Sequence, residues 1–131
     1  MDTDEVVIKP EPKIEEGKAL VEELDKQGLN PEVALWFYLP EGNRWRFIIS
    51  SSSFPASSKN IYSDFFDKYE DLPQVKSIGF ENITLLPRKD DLILLLKKVI
   101  KTNPDSIVSY RFTSNVIDGI LIEDAFIYRL A

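Results

Sequence analysis

The sequence contains no cysteine and no histidine. Without cysteine, the protein has no disulfide bond, no thiolate nucleophile and no cysteine-bound zinc or iron–sulfur cluster. Without histidine, it lacks the side chain that most often acts as a general base near neutral pH, and it lacks imidazole metal ligands. Carboxylates still allow a Mg²⁺ or Ca²⁺ site. These absences argue against an enzyme, and the sequence predicts no cofactor.

Long apolar runs and glycine-rich loops are also missing. The apolar runs are short, as at residues 92–96, whereas a membrane-spanning helix needs about 20 residues. The five glycines are scattered along the chain, so the glycine patterns that bind phosphate are absent. The acidic N-terminus has no apolar core of the secretory type. We therefore expect a soluble, cytoplasmic protein that does not associate with a membrane.

Acidic residues outnumber basic ones, and the formal net charge is −6. This charge disfavours general binding to nucleic acid. Hydrophobic residues make up 44% of the 131 positions, which is enough for one domain with a core. Acidic side chains and prolines near the start predict a flexible acidic tail over residues 1–12. Residues 13–131 are then expected to form a single α+β domain.

Hydrophobic periodicity predicts the element order α-β-β-α-β-α-β-β. This order indicates about three helices and a five-stranded mixed or antiparallel sheet, with helices on one or both faces. The first helix is expected over residues 13–27, and Gly28 is typical of the position that ends a helix. The second is expected over residues 59–70, capped by Ser57 or Ser58.

The third predicted helix and the strand before it are strongly apolar. Residues 82–86 read NITLL, which is consistent with a central strand. The helix that follows, capped by Asp90 or Asp91, is expected to extend to about Lys101. Helical spacing assigns four residues to its inner stripe: Leu92, Leu95, Leu96 and Val99.

The stretch Val33–Ser53 holds both tryptophans and predicts a β-hairpin, with strands over residues 33–39 and 44–51. Pairing Leu39 with Arg44 would place the aromatic side chains of both strands on one face. Such a face is either core beneath helices or a surface that binds another molecule. The candidate interaction surface comprises Trp36, Tyr38, Arg44, Trp45, Arg46 and Phe47.

Two kinds of partner fit this surface if it is exposed. Aromatic and guanidinium groups suit a protein partner, and they also suit the bases of single-stranded nucleic acid. The acidic charge and the lack of an RNA-binding glycine–aromatic motif make nucleic acid the less favoured partner. Ordinary core is the favoured interpretation of the aromatic face, which leaves the opposite face of the hairpin open.

A second hairpin is predicted near the C-terminus, with Asp118-Gly119 at its turn. Glu123 and Asp124 are adjacent in its second strand, so their carboxylates point to opposite faces. One of them should need a cation, and Arg111 in the neighbouring strand is the candidate. An ion pair is the favoured interpretation. Alternatively, Asp124 together with Glu123 or Asp118 binds a divalent metal.

Two strings in the chain, ALWFYLPEGNRWRFIIS and RFTSNVIDGILIEDAFIYRL, resemble a pattern found in small uncharacterised bacterial proteins. The resemblance covers most of the chain outside the tail. No established activity is attached to that family, so the resemblance implies no catalytic or binding residues.

The sequence therefore predicts a non-enzymatic module that interacts with a protein partner or with a second copy of itself. Self-association through a sheet face or through the edge of the terminal strand is the favoured form. A nuclease-like enzyme that depends on carboxylates and a divalent metal is one alternative. A protein that binds single-stranded nucleic acid through Arg44, Trp45 and Arg46 is the other.

Overall fold

The computed structural model describes residues 8–54 and 60–131. The α-helices of these residues are α1 (Ile14–Lys26), α2 (Ile61–Tyr69), α3 (Pro73–Ile78) and α4 (Asp91–Leu96). The strands are β1 (Val33–Leu39), β2 (Arg44–Ser50), β3 (Ile83–Leu85), β4 (Tyr110–Ile117) and β5 (Ile120–Leu130). The predicted α+β class and element order are confirmed, with α3 as an additional helix. The predicted caps, Ser57 and Ser58, lie outside the described residues.

The five strands of the described chain form one mixed sheet in the order β3-β2-β1-β5-β4. Only β3 runs parallel to its neighbour, β2, and the other pairings are antiparallel. Leu39 lies opposite Arg44, as the sequence predicts, and Trp36 lies opposite Phe47. The turn between them contains Gly42 with φ 104° and Asn43 with φ 50°, the left-handed backbone that favours these residue types.

The aromatic face of the first hairpin is core. Leu20, Val21 and Leu24 of α1 pack against it and are fully buried. Trp36 and Phe47 meet edge to face, with ring centroids 4.9 Å apart, a favoured arrangement of aromatic pairs. Helices α2 and α3 contribute further buried residues to the same cluster. The favoured interpretation of this face is therefore the one that the structure shows.

The opposite face of the sheet is a second core. Leu35 and Ile48 from the first hairpin pack there with Ile93 and Leu96 of α4. The second hairpin supplies Phe112 and other residues to the same cluster. Both faces of β1 and β2 are therefore covered along most of their length. The terminal strand, β5, lies between β1 and β4, so the predicted association through its edge is wrong, and the edges of the sheet are β3 and β4.

A β-bulge in β5 changes the faces that its last residues occupy. Ala34 pairs with Arg129, whereas Leu35 pairs with Ile127, so Tyr128 is the extra residue. The strict odd–even alternation that the sequence suggests for this strand is therefore broken near its end.

The bulge brings the guanidinium of Arg129 against α1. Its two terminal nitrogens donate to the carboxylate of Asp25 at 3.0 and 2.9 Å, and one of them also donates to the carbonyl of Pro31 at 3.0 Å. Arg129 is only 2% exposed. A buried guanidinium needs such a set of acceptors to offset its desolvation, so this arginine ties the end of β5 to α1.

Strand β3 lies at an edge of the sheet, beside β2, so the prediction of a central position is wrong. Its two apolar residues, Ile83 and Leu85, are buried in the first core, whereas Thr84 between them is partly exposed. A continuous apolar run indicates burial on both faces, but it does not distinguish a central strand from a covered edge strand.

Helix α4 is shorter than predicted and ends at Leu96. Its N-terminus is capped by Asp90, whose carboxylate accepts from the backbone N–H of Leu92 at 2.9 Å. Ile93 and Leu96 form its buried side, while Val99 is 52% exposed. Of the predicted inner stripe, Leu96 is buried and Leu92 and Leu95 pack partly buried against the same core. Only Val99 departs from it, because the chain leaves the helix before that residue. None of the helices in the described ranges is long and apolar enough to cross a membrane.

Candidate functional site

The predicted interaction surface is split between the core and the molecular surface. Its four aromatic members are all buried, being at most 6% exposed: Trp36, Tyr38, Trp45 and Phe47. Their rings therefore offer no open face on which a base could stack. Arg44 is exposed, and Arg46 is half-buried.

Residues 8–13, here called the N-terminal strap, lie across the open end of the aromatic face. The indole N–H of Trp45 donates to the carbonyl of Pro10 at 2.7 Å, and that of Trp36 donates to the carbonyl of Lys13 at 3.2 Å. The predicted tail covers residues 1–12. Of these, residues 8–12 make contacts with the domain, and residues 1–7 lie outside the described residues.

Asn43, in the turn of the first hairpin, holds the start of the strap. Its side-chain amide donates to the carbonyl of Ile8 at 3.1 Å. Its side-chain oxygen accepts from the hydroxyl of Tyr38. Asn43 thus links the hydroxyl of Tyr38 to the strap.

Asp124 is the most buried carboxylate of this region, with 1% of its side chain exposed. Arg111 binds both of its oxygens, from Nε and Nη2, at 2.8 Å each. Lys9 of the strap donates to Oδ2 at 2.8 Å. Burial by itself raises the pKa of Asp124, but the hydrogen bonds from Arg111 and Lys9 outweigh it and hold the pKa below its ordinary value.

Two charged side chains of the strap, Lys9 and Glu11, form ion pairs with the second hairpin, and the cation of each pair lies near an aromatic ring. The ammonium of Lys9 lies 5.0 Å from the ring centroid of Tyr38. The guanidinium of Arg111 donates to the carboxylate of Glu11 at 3.2 Å. It also lies 5.5 Å from the ring centroid of Trp45. These are cation–π distances. The strap, the hairpin turn and the second hairpin therefore form one polar cluster above the aromatic core.

The structure does not bring the three candidate metal carboxylates together. Asp118 is exposed at the turn of the second hairpin, where it pairs with Lys98. It lies six positions along the chain from Asp124, which is about 20 Å in an extended strand. Glu123 is the neighbour of Asp124 in β5, so their side chains point to opposite faces of the strand. Both oxygens of Asp124 are held by Lys9 and Arg111. The described residues contain no group of three carboxylates placed to bind one metal ion.

Arg46 supports β3. It donates to the hydroxyl of Thr84 at 2.8 Å and to the carbonyl of Glu81 at 2.7 Å, with a longer contact of 3.3 Å to the carbonyl of Ile83. Its donors are thus engaged inside the molecule, whereas Arg44 remains on the surface.

The largest cluster of exposed aliphatic side chains lies at the tip of the second hairpin. Val116 and Leu121 are cross-strand partners that are 67% and 60% exposed. Ile120 beside them is 53% exposed. They are here called the hairpin tip. Strand β4 leads from this tip along an edge of the sheet where no other strand of the described residues pairs with it, and Tyr110 at its other end is 45% exposed.

Sequence reasoning missed the strap and the hairpin tip as candidate sites. The signal for the strap was the order Lys9-Pro10-Glu11-Pro12-Lys13, in which charges alternate between prolines. The signal for the tip was an aliphatic residue on each side of the turn dipeptide Asp118-Gly119. Hairpins that are buried in a protein core have the same pattern. Burial distinguishes the two cases, and it depends on the tertiary structure.

No protein-family model, curated protein or solved structure matches this chain.

Proposed function

We propose that this protein is a non-enzymatic interaction module that associates with a second copy of itself through the edge of β4 and the hairpin tip. The observation that carries the proposal is the exposed pair Val116 and Leu121 at the end of a free sheet edge. Exposed aliphatic side chains that adjoin each other are typical of protein interfaces.

The backbone of β4 is suited to pairing with another strand. It spans eight residues at the end of the strand order and is interrupted at Ser114, where φ is 48°. On either side of Ser114, one row of its N–H and C=O groups faces away from β5. Soluble proteins usually protect such an edge with lysine, proline or a very short strand. Strand β4 has no lysine and no proline, and Arg111 is its one charged residue. The opposite edge, β3, has only three residues.

A second copy is the partner that best fits an edge of this kind. Two identical edges pair in antiparallel fashion about a two-fold axis, so that the same surface serves both copies. The buried polar groups at Asp124 are already satisfied by cations of the same chain, and this supports an interaction role rather than a catalytic one. Because each copy carries a formal charge of −6, added salt should strengthen the association by screening repulsion.

Light scattering coupled to size exclusion tests the proposal on the full chain. We expect the molar mass to rise from 15.1 kDa for one copy towards twice that value as the concentration is raised about a hundredfold. Val116→Lys should shift the protein back towards the monomer, because it places a charge at the edge. Its side chain is mostly exposed, so the fold should tolerate the change.

Phe80→Lys is the matched control, since Phe80 is 59% exposed and lies next to β3 at the other end of the strand order. It should leave the association unchanged. A wild-type protein that stays monomeric over the whole range would refute self-association. A dimer lost in Phe80→Lys but kept in Val116→Lys would refute the role of β4.

A further inference from the structure

The domain holds the strap mainly through its backbone. Three side-chain donors, on Asn43, Trp45 and Trp36, are directed at the carbonyls of residues 8, 10 and 13. Hydrogen bonds to carbonyls do not require particular side chains on the bound segment. A surface built in this way can accept any segment that follows the same path.

Prolines suit such a surface. Pro10 and Pro12 have no N–H that would need a partner, and their rings fix φ in advance. Because less conformational entropy is lost on binding, aromatic grooves often bind proline-containing segments through indole donors and ring faces. Trp45 contributes here an N–H to the carbonyl of Pro10 and a ring face beneath Arg111.

The charges define an order along the bound segment. A basic residue ahead of the first proline reaches Asp124, as Lys9 does, and an acidic residue after it reaches Arg111, as Glu11 does. The surface also retains space. A cavity of about 170 Å³ lies between the strap and the domain, lined among others by Pro12, Trp36 and Ile78. The strap therefore does not fill the site that it occupies.

We propose that the surface formed by Trp36, Asn43, Trp45, Arg111 and Asp124 binds an extended segment of another protein with the order basic–proline–acidic–proline, and that the strap occupies this site in cis. The site is separate from the edge of β4, so the proposal does not rest on self-association. The strap competes with the partner because a tethered segment has an effective concentration of about 1 mM. Weakening the strap should therefore increase the affinity for a partner segment.

Calorimetric titration of the full chain with the peptide Ile-Lys-Pro-Glu-Pro-Lys tests this. The peptide has the sequence of residues 8–13. The variant Lys9→Ala/Glu11→Ala should bind it about tenfold more tightly than the wild type, because the strap has lost both ion pairs. Adding Trp45→Phe to this variant keeps a ring but removes the indole donor. We expect that change to weaken binding about fivefold, as the loss of one hydrogen bond does.

The matched control peptide is Ile-Glu-Ala-Lys-Ala-Lys. In it, alanine replaces both prolines, and the lysine and glutamate that flank the first proline are exchanged. It should bind at least tenfold more weakly. Equal binding of the two peptides would refute the proposal, and so would the absence of binding to the weakened variant. Peptide-free dimers of that variant that persist when Val116→Lys is added would also overturn it, because the occupant would then be the strap of a second copy.

A measurement on the wild-type chain tests the same site without any variant. In an isotope-labelled chain, the backbone N–H signals of Lys9 and Glu11 in the NMR spectrum report on the strap itself. Excess unlabelled peptide should displace the strap and shift these signals, while the control peptide should leave them in place. A signal that does not move at a peptide concentration well above about 1 mM would count against the site.

Discussion

Gly17 allows α1 to lie directly on two side chains of the sheet. A methyl group at this position would come within 2.6 Å of Nε1 of Trp36 and would also overlap the hydroxyl of Tyr128. That hydroxyl donates to the carbonyl of Ile14 at 2.6 Å, so it cannot move away without losing a buried hydrogen bond. At the scale of a single residue, the absence of a side chain determines how closely helix and sheet pack.

Gly17→Ala should therefore destabilise the protein although alanine favours helices. Overpacking costs about 1–3 kcal/mol, whereas the gain in helix propensity is about 1 kcal/mol. Urea unfolding followed by circular dichroism measures the net change in the free energy of unfolding. Lys18→Ala, at the exposed neighbouring position, should cause little change. Equal stability of the two variants would show that α1 can shift to accept a methyl group.

Asp124 should make the stability depend on pH in the acidic range. Its pKa is below the ordinary value in the folded protein, so the ionised carboxylate stabilises the fold above pH about 4, where the unfolded chain would also ionise it. This contribution is lost as the pH falls through the folded-state pKa. The free energy of unfolding, measured in urea from neutral to acidic pH, should fall more steeply in the wild type than in Asp124→Asn.

Asp67→Asn provides the control for this measurement, because Asp67 lies exposed on α2. Its pH dependence should follow that of the wild type. If the curve for Asp124→Asn also ran parallel to the wild type, the ion pairs with Arg111 and Lys9 would not contribute to folding.

At the scale of an element, β3 shows how a very short strand is held at a sheet edge. Its pairing with β2 covers only three residues, too few for independent stability. Arg46 projects from β2 and binds Thr84 within β3 and the carbonyls around its start. A residue that the sequence suggested for an interaction surface thus fixes the position of its neighbouring strand.

Arg46→Met should loosen β3 while leaving the rest of the sheet in place. Three hydrogen bonds are lost, but solvent can replace part of them, so we expect a loss of about 1–2 kcal/mol in the free energy of unfolding. Hydrogen exchange should accelerate first at residues 83–85. Arg44→Met, at an exposed position of the same strand, is the control. Unchanged exchange in Arg46→Met would mean that apolar packing alone holds β3.

At the scale of the whole molecule, two cores share one sheet. Helices α1, α2 and α3 complete one cluster, and α4 with the second hairpin completes the other. Strands β1, β2 and β5 contribute side chains to both. Neither core can lose its strands without exposing the other, so residues 13–131 should unfold as one cooperative unit, in keeping with the predicted single domain.

Ile93→Ala tests this coupling. Ile93 is fully buried in the second cluster, and its truncation should cost about 2–5 kcal/mol. Both tryptophans lie in the first cluster, so their fluorescence reports on the other face of the sheet. We expect the fluorescence midpoint in urea to shift by as much as the midpoint from circular dichroism. A fluorescence midpoint that stayed at its wild-type value would show that the two faces unfold separately.

Predictions that rest on neighbouring residues agree well with the structure. The helix over residues 13–27 corresponds to α1, and the register of the first hairpin is as predicted. The register follows from turn residues between two strands that are close in the chain, so few alternatives compete. The end of α4 and the edge position of β3 were not predicted, because they depend on contacts made outside the element itself.

The sequence by itself determined the classes of chemistry that are excluded, the order of the elements and the aromatic character of the first hairpin. These properties follow from composition and from the periodicities of helix and strand. Only the tertiary structure decided the strand order, the bulge at Tyr128, the exposure of the hairpin tip and the position of the strap. Lys9 and Asp124, for example, are 115 positions apart. A contact between residues so far apart in the sequence forms only in the folded protein. No local sequence pattern records which surfaces the fold buries.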